Sequence, residues 1–140
     1  MSDPFQLQRF LDAQAPVYPR VVAELQQGQK QSHWMWFIFP QLAGLGHSPM
    51  AQRFAIASRD EAVAYLDHGV LGPRLRECTV LVNAVEGRTI REILGPPDDL
   101  KFRSSMTLFD AVSSDAVFAE AIAKFYGGRP DPRTLALLAH

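Results

Sequence analysis

Residues 33–39, His-Trp-Met-Trp-Phe-Ile-Phe, form the stretch that most constrains how this chain can fold. Both tryptophans of the protein lie in it, and His33 is the single position expected to face solvent. A segment that is apolar on every side must be buried on every side, so the rest of the chain has to pack around it. Polar side chains flank the segment, with Lys30 and Ser32 before it and Gln41 after it. This pattern predicts a core element whose ends reach a site.

Helix start and stop signals predict an all-α fold. Seven residues with one β-branched side chain, followed by Pro40, favour a short buried helix over a strand. Ser48-Pro49 is a cap followed by proline, and Ser58 and Thr89 each open a capping box. Further helix caps are expected at Asp3, Ser32, Asp98 or Asp99, Ser114 and Asp131. We therefore predict a compact all-α domain of about eight short helices that spans residues 1–140.

Composition and charge exclude several classes of protein. A net charge of −1 and a pI near 6.4 give no general attraction to nucleic acid or to anionic membrane. The N-terminus has no signal-peptide pattern, and no apolar run approaches the roughly 20 residues needed to cross a bilayer. One cysteine, Cys78, permits no internal disulfide and suits a reducing compartment. We expect a cytoplasmic protein without nucleic-acid or membrane partners, and the oligomeric state stays open.

The sequence lacks established catalytic, cofactor and metal motifs. It contains no P-loop, no G-x-G-x-x-G and no G-x-S-x-G. Its histidines are too far apart for a local zinc motif, and one cysteine cannot complete a structural site. These histidines are His33, His47, His68 and His140. The sequence therefore predicts no metal site and no cofactor. Cys78 lies on the apolar stripe of its helix, where a core role is expected rather than a reactive thiol.

The helix that starts near Asp98 carries a lysine in an unusual place. At about 100° per residue, Lys101 and Ser105 fall within its apolar arc, whereas Arg103 faces the other way. A lysine in such an arc needs a route to water, a carboxylate partner or a cavity to line. All three alternatives stay open for Lys101. The carboxylates that could pair with it are Asp98, Asp99 and Glu61.

Two functional hypotheses follow from these residues. In the leading one, a small cytoplasmic protein binds a small anionic or nucleotide-like ligand in an aromatic pocket with polar ends. An enzymatic version uses His33 as general acid or base, a role that suits histidine near neutral pH. In the alternative, the protein is a non-enzymatic interaction module whose polar residues make structural hydrogen bonds. The expected ligand-binding residues are Lys30, Ser32, His33, Trp34, Trp36, Gln41, Ser48, Lys101, Arg103 and Ser105.

Several blocks of aromatic and polar residues are specific enough to compare with known families. The first block is Gly28-x-Lys30-x-Ser32-His33-Trp34-x-Trp36-Phe37-x-Phe39-Pro40-Gln41-Leu42, followed by Leu45-Gly46-x-Ser48. The later blocks are Glu61-Ala62-x-x-Tyr65-Leu66, Leu71-Gly72-x-Arg74-Leu75 and Asp98-x-x-Lys101-x-x-Ser104-Ser105-Met106-Thr107-Leu108-Phe109. Together they resemble the bacterial DUF1810 family of unknown function, some members of which are mislabelled calpastatin. The resemblance spans nearly the whole chain and implies a mainly helical single domain. It assigns no catalytic residue, because the family has no assigned reaction.

Overall fold

The computed structural model describes residues 2–139, which form ten α-helices. Met1 and His140 lie outside the described residues. Within residues 2–139 the β-type pairing is limited to an isolated parallel bridge between Leu42 and Ile56. The predicted all-α class is therefore confirmed. The helices are α1 (Gln8–Gln14), α2 (Tyr18–Gln26), α3 (Met35–Ile38), α4 (Pro49–Arg53), α5 (Arg59–Asp67), α6 (Leu71–Asn83), α7 (Ile90–Leu94), α8 (Asp98–Ala111), α9 (Ala116–Tyr126) and α10 (Pro132–Leu138).

The helix count is ten rather than about eight, and three of the ten helices are very short. Helix α3 has 4 residues, and α4 and α7 have 5 each. Pro40 follows α3 closely, and Gly95, with a φ of 80°, ends α7. Across residues 2–139, no helix combines the length and apolar character needed to cross a membrane.

Several of the predicted caps act as expected. The Ser48 hydroxyl accepts a hydrogen bond from the Ala51 backbone N–H at 3.1 Å and starts α4. Thr89 and Glu92 form the full reciprocal box at the start of α7. The Asp131 carboxylate caps α10. These side chains satisfy backbone donors that a helix start leaves without partners.

Other predicted starts are displaced by one to a few residues. The Asp3 carboxylate accepts from the backbone N–H groups of Leu7 and Gln8, so α1 begins at Gln8. Helix α8 follows Pro97, and Asp98 is its first residue rather than its cap. At α9 the cap is Asp115, the neighbour of the predicted Ser114.

Ser58 caps α5 as predicted, but its capping box is incomplete. The Ser58 hydroxyl accepts from the Glu61 backbone N–H at 3.1 Å. The Glu61 carboxylate accepts from the Ala57 backbone N–H and from Arg9 instead of from Ser58. Arg9 lies on α1, so Glu61 links two helices in addition to its role near the helix start.

Helix α8 is the centre of the hydrophobic core. It packs against α5, α7, α9 and α10. Phe102, Met106, Leu108 and Phe109 on α8 are fully buried. Because four helices cover it, α8 also buries polar side chains, those of Ser104, Ser105 and Thr107.

The aromatic run of residues 33–39 packs against this core as a short helix, as predicted. Trp34 and Phe39 are each 1% exposed, and the Phe39 ring meets the Phe102 ring edge to face at 4.9 Å. His33 is exposed, as expected. Trp36 differs from the prediction, because it is partly exposed rather than fully enclosed. A helix of one turn has a residue on every side, and the neighbouring segments leave the side that carries Trp36 partly open.

Candidate functional site

The loop that leads into α3 is held by the buried carboxylate of Glu24. One oxygen accepts from the backbone N–H groups of Gln31 and Ser32 and from Trp34 Nε1, at 2.8, 3.1 and 2.9 Å. The other oxygen accepts from Ser32 Oγ at 2.6 Å. Burial alone would raise the pKa of Glu24, but these hydrogen bonds together lower it to about 2. Ser32 and Trp34 are therefore occupied in fixing the loop, and Ser32 does not cap α3.

A second carboxylate, Asp98, lies between two of the predicted cations. Its Oδ2 is 3.1 Å from Lys30 Nζ, and its Oδ1 is 3.5 Å from Lys101 Nζ. Each lysine also faces a tryptophan. Lys30 Nζ is 5.2 Å from the centre of the Trp34 ring, and Lys101 Nζ is 5.7 Å from the centre of the Trp36 ring. Two cation–π contacts and one shared carboxylate thus connect α8 to the aromatic run.

Lys101 borders two adjoining spaces at the surface of α8. The larger is a cleft of about 420 Å³ between α8, the start of α10 and the loop 41–46. The smaller is a narrow cavity of about 10 Å³ between Trp36, Gln41 and the core. Such a cavity admits at most one water molecule. The residues that line the cleft are Gln41, Leu45, Gly46, Pro97, Leu100, Lys101, Arg103, Ser104, Asp131 and Arg133.

Positive charge predominates in this cleft. Lys101, Arg103 and Arg133 line it, against the single carboxylate of Asp131. Arg103 donates from Nε to the Arg129 carbonyl and from Nη2 to the Pro130 carbonyl. Within residues 2–139, Arg103 Nη1 and the whole Arg133 guanidinium make no hydrogen bond or ion pair. Guanidinium groups whose N–H donors make no other hydrogen bond are suited to bind phosphate or carboxylate groups.

The carboxylate of Asp131 is already engaged by donors from α8 and from its own helix, α10. It accepts from Ser104 Oγ at 3.1 Å, from the Thr134 backbone N–H at 3.1 Å and from Thr134 Oγ1 at 2.5 Å. The Asp131 backbone N–H donates to Thr107 Oγ1. These contacts hold the start of α10 against α8, and they place Arg133 beside the cleft.

The predicted site residues divide into three groups in the structure. Trp36, Gln41, Lys101 and Arg103 meet at the cleft and its adjoining cavity. Lys30, Ser32 and Trp34 lie behind it, paired with Asp98 or Glu24. His33 is exposed and lines neither space, Ser48 is occupied as the cap of α4, and Ser105 is fully buried in α8. Ser105 Oγ has no hydrogen-bond partner within residues 2–139.

Sequence reasoning missed Arg133, Asp131 as a lining residue, and the apolar rim of Leu45, Pro97 and Leu100. Asp98 was identifiable, because it lies three residues before Lys101 on the same helix. For Arg133 the sequence offers only its place in the first turn of a helix. Its position depends on the packing of α10 against α8.

The described residues offer no ready-made metal site and no reactive thiol. Residues 2–139 contain no group of three or more His, Cys, Asp or Glu side chains that could hold a metal ion. Burial raises the pKa of the Cys78 thiol to about 12, so the thiolate is scarce at neutral pH. Cys78 is fully buried, in agreement with the predicted core role.

Fold and cleft together define a small all-helical protein with a cationic surface cleft. The chain matches the model of the family described as "Protein of unknown function (DUF1810)" over residues 4–138, and it belongs to that family. It is also similar to the conserved hypothetical protein Rv1873 from Mycobacterium tuberculosis, which has a crystal structure at 1.38 Å. The two chains are 61% identical, the match covers 99% of each, and the TM-score is 0.97. No curated protein matches the chain.

Proposed function

We propose that this protein binds a small anionic ligand in the cleft between α8, α10 and the loop 41–46. The observation that carries the proposal is the convergence of Lys101, Arg103 and Arg133 on one cleft. The opposing carboxylate of Asp131 is engaged by hydrogen bonds from Ser104 and Thr134. The balance of charge therefore favours an anion, and the open guanidinium donors can bind a phosphate through paired N–H···O hydrogen bonds.

The dimensions of the cleft favour a ligand larger than a lone phosphate. Its volume of about 420 Å³ falls within the range of about 300–1,000 Å³ for small-molecule sites. Leu45, Pro97 and Leu100 form an apolar rim, and Leu100 is 61% exposed. A planar ring can rest against this rim while its phosphate reaches the arginines. The cavity beside Trp36 is too small for a ring, so the ring of a nucleotide-like ligand belongs in the outer cleft.

The proposal concerns binding, and it assigns no reaction. His33 lies outside the cleft and makes no hydrogen bond within residues 2–139, so the geometry gives it no part in this site. The bacterial cytoplasm is the proposed location. A single buried cysteine that is not in a disulfide supports it, because disulfides are scarce in reducing compartments.

A second candidate function is that of an interaction module without a small ligand. The observation in its favour is the pairing of Lys30 with Asp98, and of Ser32 and Trp34 with the buried carboxylate of Glu24. Those three polar side chains then have a purely structural role, as that hypothesis requires. Under this alternative the cleft has no affinity for small anions.

Calorimetric titration distinguishes the two functions. The probes are orthophosphate, adenosine monophosphate and uncharged adenosine, and the variants are Arg133→Met and Arg91→Met. Arg91 is an exposed arginine on α7, so its substitution removes the same charge outside the cleft.

We expect adenosine monophosphate to bind more tightly than orthophosphate, and adenosine to bind most weakly. Arg133→Met should weaken binding of the nucleotide about tenfold, as expected for loss of a charge-assisted hydrogen bond, and Arg91→Met should not. If Arg133→Met and Arg91→Met bind adenosine monophosphate equally tightly, the proposal is contradicted and the interaction module is favoured. The same holds if the wild type binds neither orthophosphate nor adenosine monophosphate.

A further inference from the structure

We infer that Lys30 is a positioning residue for the cleft, because it occupies one oxygen of Asp98 and so keeps the Lys101 ammonium available to an anionic ligand. This inference rests on the proposed function and deepens it. It identifies which neighbouring groups set the charge of the site, although Lys30 itself does not line the cleft.

The geometry of the shared carboxylate is unequal. The distance from Asp98 to Lys30 Nζ is 3.1 Å, and the distance to Lys101 Nζ is 3.5 Å. The Lys30 side chain is 9% exposed, whereas that of Lys101 is 26% exposed. The Asp98–Lys30 pair is shorter and less exposed to solvent, so it is the stronger one, because Coulomb attraction increases as distance and solvent screening decrease. Asp98 is thus neutralised mainly by Lys30.

Lys30 also has a more buried setting than Lys101, because the Trp34 ring is 1% exposed and Trp36 is partly exposed. The Lys30 backbone N–H donates to the Ile93 carbonyl at 2.7 Å, and its ammonium faces the Trp34 ring. Trp34 is in turn held by its hydrogen bond to Glu24. Lys101 lies at the surface between the cleft and the small cavity, where its ammonium can turn toward a ligand.

The consequence for binding follows from charge. An unpaired carboxylate next to the cleft would repel an anion and would also compete for Lys101. Asp98 and Lys101 lie three residues apart on α8, within direct reach of each other. Loss of the Lys30 charge should therefore let Asp98 pair fully with Lys101 and withdraw it from the cleft. Loss of the Asp98 charge should instead free Lys101 from this pairing and leave its ammonium available to the cleft.

Selective acetylation of lysines measures this coupling without any ligand. Acetic anhydride reacts with neutral amines, and a carboxylate partner stabilises the protonated form, so pairing slows labelling of Lys101. Mass spectrometry would follow the Lys101 labelling rate in the wild type, Lys30→Met, Asp98→Asn and the double variant. We expect Lys30→Met to slow labelling about fivefold, the effect of an ion pair of about 1 kcal/mol. In the Asp98→Asn background the same substitution should leave the rate unchanged, and Lys30→Arg should keep the wild-type rate.

If the Lys30 charge acted on Lys101 directly, rather than through Asp98, the labelling rates would differ from this expectation. The slowing would then be equal with and without Asp98, and that result would overturn the inference. An unchanged rate in Lys30→Met would overturn it as well. Chemical denaturation of each variant verifies that the compared proteins are folded.

Titration with orthophosphate and adenosine monophosphate supplies the second readout. Lys30→Met should weaken binding about fivefold in the wild-type background and leave it unchanged in the Asp98→Asn background. A wild-type protein that binds neither probe overturns the proposed function. A protein that binds them, with no dependence on Lys30, leaves the proposed function standing and overturns the inference.

Discussion

The side-chain nitrogen of Lys101 lies 5.7 Å from the centre of the Trp36 ring, and both residues line the same narrow cavity. This contact joins α8 to the short aromatic helix α3 at the inner end of the cleft. Trp36 is partly exposed, whereas Trp34 is 1% exposed and bonded to Glu24. The two tryptophans therefore have different roles, Trp34 in the core and Trp36 at the edge of the candidate site.

Phe37→Ala should strongly destabilise the protein. Phe37 is 7% exposed, and its ring lies 5.4 Å from that of Phe54. Deletion of a buried phenylalanine side chain costs about 3–5 kcal/mol, because apolar burial is lost and a cavity remains. Urea denaturation measures the change. A loss below about 1 kcal/mol, the range of surface substitutions, would mean that the aromatic run is not part of the core.

Arg9→Met should destabilise the protein by about 3–5 kcal/mol, because it leaves the buried Glu61 carboxylate without its cationic partner. Arg9 Nη2 is 2.8 Å from Glu61, whose side chain is 4% exposed. The guanidinium also donates to four backbone carbonyls, those of Phe5, Gln6, Arg53 and Ala55. The free energy of unfolding from urea titration reports the change.

The double variant Arg9→Met/Glu61→Gln separates the cost of the stranded Glu61 charge from the loss of the hydrogen bonds between Arg9 and the backbone carbonyls. With the stranded charge removed, it should be more stable than Arg9→Met alone. If both variants have the same stability, the loss comes from the carbonyl contacts of Arg9 and not from the ion pair.

Glu24 should make stability dependent on acid pH. Its pKa falls from 4.5 to about 2 on folding, so its contribution is fully present above about pH 4.5 and is lost as the pH falls toward 2. A shift of this size corresponds to on the order of 3 kcal/mol. Glu24→Gln should be less stable than the wild type at neutral pH and should lose less stability on acidification. Denaturation curves between about pH 2 and 7 test this, with Glu120→Gln on the exposed face of α9 as the control. Parallel losses in Glu24→Gln and wild type would contradict the assignment.

Much of the fold was predictable from local signals in the sequence. The caps at Ser48, Thr89 and Asp131 act through side chains that bond backbone groups a few residues away, so a short window contains the information. Ser32 was misread for the opposite reason. Its hydroxyl bonds Glu24 on another helix, and a contact of that kind depends on how the loop returns to α2.

The candidate site was predictable in part. Lys101 and Gln41 were singled out as polar residues next to apolar segments, and both line the cleft. The partners of Lys101 were left open among Asp98, Asp99 and Glu61, and the structure pairs it with Asp98. Arg133 could not be predicted, because only the docking of α10 onto α8 brings it there. The roles of the two tryptophans were likewise inseparable, since a one-turn helix has no periodicity to distinguish a covered side from an exposed one.

The most direct test of the cationic cleft is the affinity of Lys101→Met for adenosine monophosphate, measured by calorimetry beside its urea denaturation curve. Methionine keeps the packing of the lysine stem and removes the charge. Asp98 retains Lys30 as its partner, so no carboxylate is stranded and stability should change by less than about 1 kcal/mol. Affinity should fall about tenfold or more, because a desolvated charge-assisted hydrogen bond contributes about 1.5–3 kcal/mol. A stable Lys101→Met protein that binds the nucleotide as tightly as the wild type would contradict the account.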